Sequence, residues 1–527
     1  MKNFRSERRS CLSRRRLSSG IQCVLLCLAM NTLITTAMAA PSPHPDPVVN
    51  AELLAGVAKV DISDPAVVSN DPLYAKALVL KQGTTVAVLI TVDAVAIGEI
   101  GPIRNDYLQN VRTALQQSLS IPPECVLVNA SHCHGLTCAD VDQRTIQAVE
   151  QAWKNMVPVT AGTGISQEVR IMENRRLLLK DGSEADVRHA YAMPWDEEVA
   201  SIGPVDPEIG LLRLDRKDGS PLAVVYNFAC HPIQGVPSKG NTADFPAFAS
   251  RVVEENFGTD VMAFFIQGCA GDINPVVYKD VHGPRDCEPF GTMLGLNVMR
   301  GLKTIEMSNS AELKIMNESL ALPRAVDIEQ RMAAIESEQT RLLKSFRGTS
   351  LNFKTFLPLH VQYSVSGDFP GYYSHRYLLD QANGKVDMLK MDAENKANME
   401  AYIANIQTME KLTRLNINLE LLKKHLAQNQ AAGSDMLDVE VGGIRVGDFV
   451  LVTFPGELTV QIGLNIKQAS PHRFTFVAGY TNGYIYYTPT AAQRNNTGYA
   501  QEDCDSLVGP EWQKLFEDKV TEVLKKL

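Results

Sequence analysis

The sequence predicts an α/β fold: a layered, mixed-sheet domain carrying a helical hairpin insertion. Three observations carry that expectation. From residue 51 onward, short β-branched apolar runs alternate with segments of helical period, the pattern of layered α/β domains. Five of the apolar runs pass directly into loops of polar, small or metal-capable residues. Between residues 325 and 430 the strands stop, and apolar residues recur at three- and four-residue spacing instead.

The first forty residues differ from the rest. A basic stretch, MKNFRSERRSCLSRRRLSSG, is followed by an apolar one that Asn31 and Thr32 interrupt, and Ala37-Met38-Ala39 fits a cleavage site. Residues 1–39 therefore read as a secretory signal peptide, too short in its apolar core for a membrane span. SRRRL (13–17) also loosely resembles a twin-arginine signal. The expected location is outside the cytoplasm, periplasmic or secreted. Residues 40–50, APSPHPDPVVN, form a Pro-rich tether ahead of the folded part at 51–527.

Within the folded part, AGVAKVDIS (55–63), AKALVL (75–80) and TVAVLITVD (85–93) read as strands bounded by Gly, Asp or Pro. IRNDYLQNVRTALQQSL (103–119) reads as an amphipathic helix, CVLVN (125–129) as a buried strand and RTIQAVEQAW (144–153) as a second helix. In 325–430, Ile328, Met332, Ile335 and Leu342 mark one helix, and Met399, Tyr402, Ile406 and Met409 a longer one. The expectation is a helical hairpin laid on the core, supplying no metal ligand, with Met399, Ile406 and Met409 buried. Strand-rich sequence resumes at GGIRVGDFVLVTF (442–454).

The chain of 527 residues carries a net charge of −9; without residues 1–39 the balance is 44 basic against 59 acidic residues, or −15. Such a surface disfavours nucleic acid and anionic membranes as partners and leaves a small-molecule or lipid-like substrate. No membrane span is expected after signal cleavage, and oligomeric state is not legible. Seven cysteines remain beyond the leader, too few for a disulfide scaffold in a chain of this size and odd in number, so at least one is free or pairs between chains.

The five strand-to-loop passages are VLVNASHCHG (126–135), LAVVYNFACHP (222–232), MAFFIQGCAGDINP (262–275), FVLVTFPGE (449–457) and FTFVAGYTNGYIYY (474–487). In open α/β sheets, ligands bind beyond the carboxyl ends of the strands. Alternation along an extended chain can aim His132 and His134 at one point, which can be a metal, a substrate or solvent. His231, Asp272, Asn274, Glu457 and the tyrosines 484, 486 and 487 lie on the other ends. Taken singly, each has a plainer reading: Glu457 can complement the dipole of a following helix, and the tyrosines can be packing residues. Taken together, two histidines and a carboxylate are a donor set that zinc accepts while keeping a position for water.

At these residues the chain resembles the neutral/alkaline non-lysosomal ceramidase family, in its N-terminal catalytic domain. The resemblance runs through GVAKVDIS, NASHCHG, NFACHP, NTADFPAFA, QGCAGDINP, PGELT and NGYIYYTPT…GY, in that order. It implies a zinc ion held by His132, His231, Glu457 and Tyr487. It also implies functional roles for His134 beside the metal as general base, for Arg175 in MENRRLLL, and for Tyr499, twelve positions after Tyr487, at the developing oxyanion or the substrate.

The chain departs from the family pattern in two places. The family's G-D-V-S-P serine is replaced by Asn274 in GDINP, and an amide is no nucleophile; a hydrogen bond to substrate or water is what it can offer. The sequence also ends at Leu527, soon after a helical segment, without the C-terminal β-sandwich that ceramidases append. Both departures bear on whether ceramide itself is the substrate. The implied function is an exported zinc-dependent hydrolase that cleaves an amide, in an N-acyl or sphingolipid-like compound. The alternatives are a metal-dependent hydrolase of sugar conjugates or cell-wall-derived amides, and a non-catalytic periplasmic binding protein with a vestigial site.

Overall fold

β1 (Leu53–Asp61), β2 (Tyr74–Gln82) and β3 (Thr85–Val92) open the fold as an antiparallel meander. The computed structural model describes residues 51–188, 193–258, 260–276, 278, 280, 282–365 and 376–527. The leader at 1–39 and the tether at 40–50 lie outside these residues. α1 (Tyr107–Leu119) returns the chain to β4 (Val126–Ala130), parallel to β3, and α2 (Val141–Lys154) leads into β5 (Val157–Gln167). After the short strands β6 (Met172–Asn174), β7 (Arg176–Leu179), β8 (Glu184–Asp186) and β9 (Val199–Ile202) come β10 (Glu208–Arg216) and β11 (Pro221–Phe228). α3 (Asp244–Phe257) precedes β12 (Met262–Gln267), parallel to β11; β13 (Ile273–Pro275) and α4 (Glu288–Leu302) follow. Strands β12-β11-β10-β5-β1-β2-β3-β4, in that order, make one eight-stranded mixed sheet.

The rest of the chain builds a second sheet. β14 (Leu313–Pro323) leads into α5 (Ile328–Lys344), α6 (Phe353–Val365), α7 (Arg376–Ala382) and α8 (Asp387–Ala432). β15 (Met436–Val446), β16 (Phe449–Thr453), β17 (Glu457–Leu458), α9 (Val460–Ala469), β18 (Phe474–Ala478), β19 (Tyr487–Thr488), α10 (Ala491–Arg494) and α11 (Trp512–Lys526) complete the chain. The second sheet has the order β14-β15-β16-β18.

Side-chain alternation explains the layering. Along β2, Ala77 and Val79 face a core shared with Val111 and Leu115 of α1 and Ala148 and Ala152 of α2. Leu78 and Leu80 face the other way, into a core shared with Ile444, Phe449, Leu451 and Phe476 of the second sheet. β16 repeats the pattern: Phe449 and Leu451 face the first sheet, Val450 and Val452 face α9 and α11. A segment buried on both faces reads as a continuous apolar run, as ALVL (77–80) of β2 and FVLV (449–452) of β16 do. The result is four layers, helix–sheet–sheet–helix. Gly210 lets the Phe476 ring of the second sheet lie against the first, since a Cβ there would lie 2.2 Å from Cδ1 of Phe476.

The helical interval departs from a simple hairpin. Four described helices occupy it, and it begins where the eleven-residue β14–β15 pairing ends, at Pro323 opposite Met436. α8 runs 46 residues and stops at Gly433, whose left-handed φ of 62° closes the C-terminus. Of the expected buried stripe, Met399 is buried, Ile406 is half-buried and Met409 is 55% exposed. Phe356 of α6 stacks on Tyr402 at 4.5 Å, so α8 is covered by different helices along its length and not by one continuous face. All seven cysteines beyond the leader are free thiols, six of them buried. Among the described residues no helix is long and apolar enough to cross a membrane.

Candidate metal centre

The carboxyl ends of four strands meet at one point because their loops are hydrogen-bonded to each other. β4 and β12, the two edges of the large sheet, are tied where they end: the Gln267 N–H donates to Asn129 Oδ1 at 2.9 Å. The loop after β18 continues the edge of β4, with Ala130 N–H donating to the Tyr480 carbonyl and Asn482 N–H to the Val128 carbonyl. Two residues past β4 and two past β18 the backbone turns left-handed, at His132 (φ 66°) and at Tyr480 (φ 52°). Such conformations are costly for non-glycine residues and persist where surrounding bonds impose them. His132 is thus aimed by a left-handed turn, not by the strand alternation expected from the sequence.

His132, His231 and Glu457 form a buried cluster whose ligand atoms all lie within 4.8 Å of one another. Glu457 Oε2 is 3.1 Å from His231 Nε2, and its Oε1 is 3.7 Å from His132 Nε2. Each histidine is oriented from behind: His132 Nδ1 lies 2.6 Å from the Val95 carbonyl and His231 Nδ1 2.9 Å from that of Ile273. A carbonyl only accepts, so both rings carry their proton on Nδ1 and present an Nε2 lone pair to the cluster. Burial, with the neighbouring His231, pushes His132 down to about 4 despite Glu457, and burial lowers His231 too. Burial acts to raise Glu457, but protonation of either imidazole would lower it, as the Tyr484 hydroxyl does, and the carboxyl is held below its usual range. Two neutral imidazoles and a carboxylate in one buried spot fit a divalent cation, so this set can hold a metal ion.

Tyrosines and arginines surround the cluster. Tyr480 donates to Glu457 Oε2 at 3.2 Å, and Tyr484 donates to Oε1. Tyr487 is paired in register with Glu457 through β17 and β19. Its hydroxyl accepts from Arg188 Nη2 at 2.6 Å and from Arg175 Nη2 at 3.2 Å. Burial raises its pKa against the pull of those two guanidinium groups. The cluster, His134, Arg175, Arg188 and Tyr487 line one cavity of about 900 Å³. His134 is exposed to it, its ring centroid 5.6 Å from that of His132.

Other expected residues lie elsewhere. Asn274 is fully buried and is not on the cavity wall; its Oδ1 accepts from Arg175 Nη1 at 2.9 Å, while its Nδ2 has no hydrogen-bond partner. Arg175 is itself engaged by Glu502, Asn274, the Gly271 carbonyl and Tyr487, leaving it a scaffold for the site more than a free donor. Asp272 does not join the cluster: its Oδ1 accepts the Val460 N–H at 2.8 Å. It therefore serves the start of α9, the plainer role considered for Glu457, which leaves Glu457 for the cluster. Tyr499 is also apart. It lines a separate cavity beside Arg414 of α8, which lies 4.1 Å from its ring, because α10 and its capping box turn the chain away after Thr490.

The sequence reading missed Tyr480 and Arg188. Tyr480 stands two residues past β18 as His132 stands two past β4, a parallel visible in the sequence. Arg188 follows β8 in a segment with no apolar run to flag it.

No protein-family model matches the sequence, and no curated protein matches it. Among solved structures, the neutral ceramidase from Pseudomonas aeruginosa is similar with a TM-score of 0.56 at 14% identity, over 90% of this chain and 75% of that one. A ceramidase complexed with C2 gives a TM-score of 0.56 at 16% identity, over 90% and 76%. The fold is ceramidase-like. The α/β layering expected from strand alternation is thereby shown at the level of the whole domain.

Proposed function

We propose that this ceramidase-like chain is an exported, zinc-dependent hydrolase that cleaves an amide bond in an N-acyl, lipid-like compound. The observation that carries the reading is the buried His132–His231–Glu457 cluster, with both Nε2 atoms turned inward, opening on a 900 Å³ cavity. Tyr487 is the fourth ligand in this reading, its hydroxyl oxygen held by two guanidinium groups that pull toward a phenolate against the larger effect of burial. When bound, a divalent ion supplies Lewis acidity, polarising a carbonyl and making water more acidic.

The side chains of the chain do the rest. His134 takes a proton from the attacking water and returns it to the departing nitrogen, so that the C–N bond breaks and a carboxylate and an amine leave. Tyr480 and Tyr484 fix both oxygens of Glu457. Arg188, part-exposed in the cavity wall, is in this reading the cation that stabilises the developing oxyanion, while its Nη2 holds the Tyr487 hydroxyl. Asn274 holds Arg175 and thereby Tyr487; it offers no nucleophile, so water is the attacking group. The basic-then-apolar stretch ahead of Ala37-Met38-Ala39 supports export.

The test is amine release from a panel of N-acyl substrates by zinc-loaded protein. His134→Ala should lower kcat by roughly 100- to 10,000-fold, the scale of a lost general base, with metal content unchanged. Undiminished turnover in that variant would reject the role given to His134, and no release from any N-acyl compound would reject the amidase reading.

A further inference from the structure

The charges around the cavity point to the class of substrate. The chain is acidic, with a net charge of −9, yet the mouth of this cavity is cationic. Lys239, Arg285 and Lys424 line it, all exposed, and come from three separate segments: the loop after β11, the loop before α4, and the last turns of α8. Among the described residues none of the three has a carboxylate partner. Lys424 instead lies 4.1 Å from the Tyr486 ring centre, and Arg285 lies 4.4 Å from that of Tyr278.

The carboxylates on the same wall are all committed elsewhere. Glu457 belongs to the His–His–Glu cluster, and Asp505 accepts from His425 at 2.8 Å. Asp244 is buried and accepts the Gly235 and Phe245 N–H groups at 2.6 and 2.8 Å. Three exposed cations without a carboxylate partner give the mouth of the cavity a positive field. That field favours anions, while a neutral amide gains nothing from it.

We infer that the substrate carries an oxyanion, a carboxylate or a phosphate, which Lys239, Arg285 and Lys424 receive at the mouth while the scissile amide lies over the cluster below. The fate of the ligand rests on the hydrolase reading above; its charge does not. Neutral N-acyl compounds of the same length enter with lower affinity. Cation–π contacts hold the Lys424 and Arg285 head groups in place before the anion arrives, which limits the ordering cost of binding.

The test uses three compounds of equal acyl length: N-lauroylglycine, N-lauroyl-O-phosphoethanolamine and neutral N-lauroylethanolamine. Two measurements are made on the wild type and on the K239Q/R285Q/K424Q variant. The first is kcat/KM of the zinc-loaded protein at low and high ionic strength. The second is equilibrium binding to the metal-free protein, which reads the charge preference even if nothing is hydrolysed. One or both anions should be preferred over the neutral compound by roughly ten-fold at low salt, the scale of a few exposed ion pairs together. The preference should reside in KM, shrink as salt is raised, and fall toward unity in the variant. Preference for the glycine conjugate identifies a carboxylate, and for the phosphoethanolamine conjugate a phosphate. Equal or tighter binding of the neutral compound, or a preference that survives the triple substitution, overturns the inference. Anion-selective binding without hydrolysis of any compound would uphold it and reject the amidase reading instead.

Discussion

Arg176 offers a sharp test of how the site is braced, because its guanidinium is buried among three carboxylates. Nη1 donates to Glu502 at 3.0 Å, Nη2 to Asp503 at 2.8 Å, and Nε to Glu184 nearer the surface. Arg176→Met keeps most of the side-chain volume and removes the charge. Glu502 would keep Arg175 at 2.7 Å, but Asp503 would be left with the Asn496 amide alone. Breaking a buried ion pair on one side costs about 3–5 kcal/mol, because the surviving charge stays desolvated, whereas the part-exposed Glu184 contact adds about 0–1 kcal/mol. The variant should therefore lose about 3–5 kcal/mol of unfolding free energy, read as a lowered urea midpoint at pH 7 with metal chelated throughout. Adding Asp503→Asn removes the orphaned charge and should restore a substantial part of the loss. The loss should also be insensitive to salt, since buried pairs are screened little. A loss below about 1 kcal/mol, or no recovery in the double variant, would refute the assignment of Arg176 as the group that offsets the buried charge of Asp503.

Burial and the neighbouring Glu502 raise Asp186 to about 7 against the pull of the arginines, so between about 4 and 7 the folded chain holds a proton that the unfolded chain has released. Stability from this group is present at the acid end of that window and is lost as pH rises through 7; Asp186→Asn, which cannot ionise, should flatten that decline, and parallel wild-type and variant profiles from pH 5 to 8 would contradict it. Asn274→Ala should lower kcat/KM by roughly ten- to a thousand-fold, the scale of one lost positioning donor or acceptor, by loosening Arg175. Asn274→Asp, which keeps the acceptor facing Arg175, should recover more of that activity than Asn274→Leu. A covalent acyl-enzyme trapped from the wild type would contradict water as the attacking group.

The layered fold was legible because its signal is local. β2, β3, β4 and β16 each carry a central apolar run buried on both faces, and the ends of those runs were visible as abrupt changes of composition. His132, His231 and Glu457 were legible for the same reason, each standing just past such an end. What failed depended on backbone turns that composition does not encode. The left-handed turn at His132 places one histidine in the cluster and leaves the other on the cavity wall, where alternation would have treated them alike. Tyr499 was located by counting from Tyr487, and counting cannot register that α10 redirects the chain. Periodicity marked the helical interval but could not tell which side of a 46-residue helix has a neighbour, so Met399 is covered and Met409 is not. Nor could it show that the end of α8 comes back to the site, where Gln428 donates to the Tyr486 hydroxyl and His425 meets Asp505.

Metal binding at the His132–His231–Glu457 cluster underlies all of this chemistry, and metal stoichiometry tests it directly. Protein freed of metal, reloaded with zinc and dialysed should retain about one ion per chain by elemental analysis. His132→Ala and His231→Ala should each abolish retention, because losing one of so few ligands forfeits several kcal/mol of binding. Circular dichroism should confirm that both variants remain folded. Stoichiometric zinc retained in both folded variants, or no zinc retained by the wild type, would contradict it.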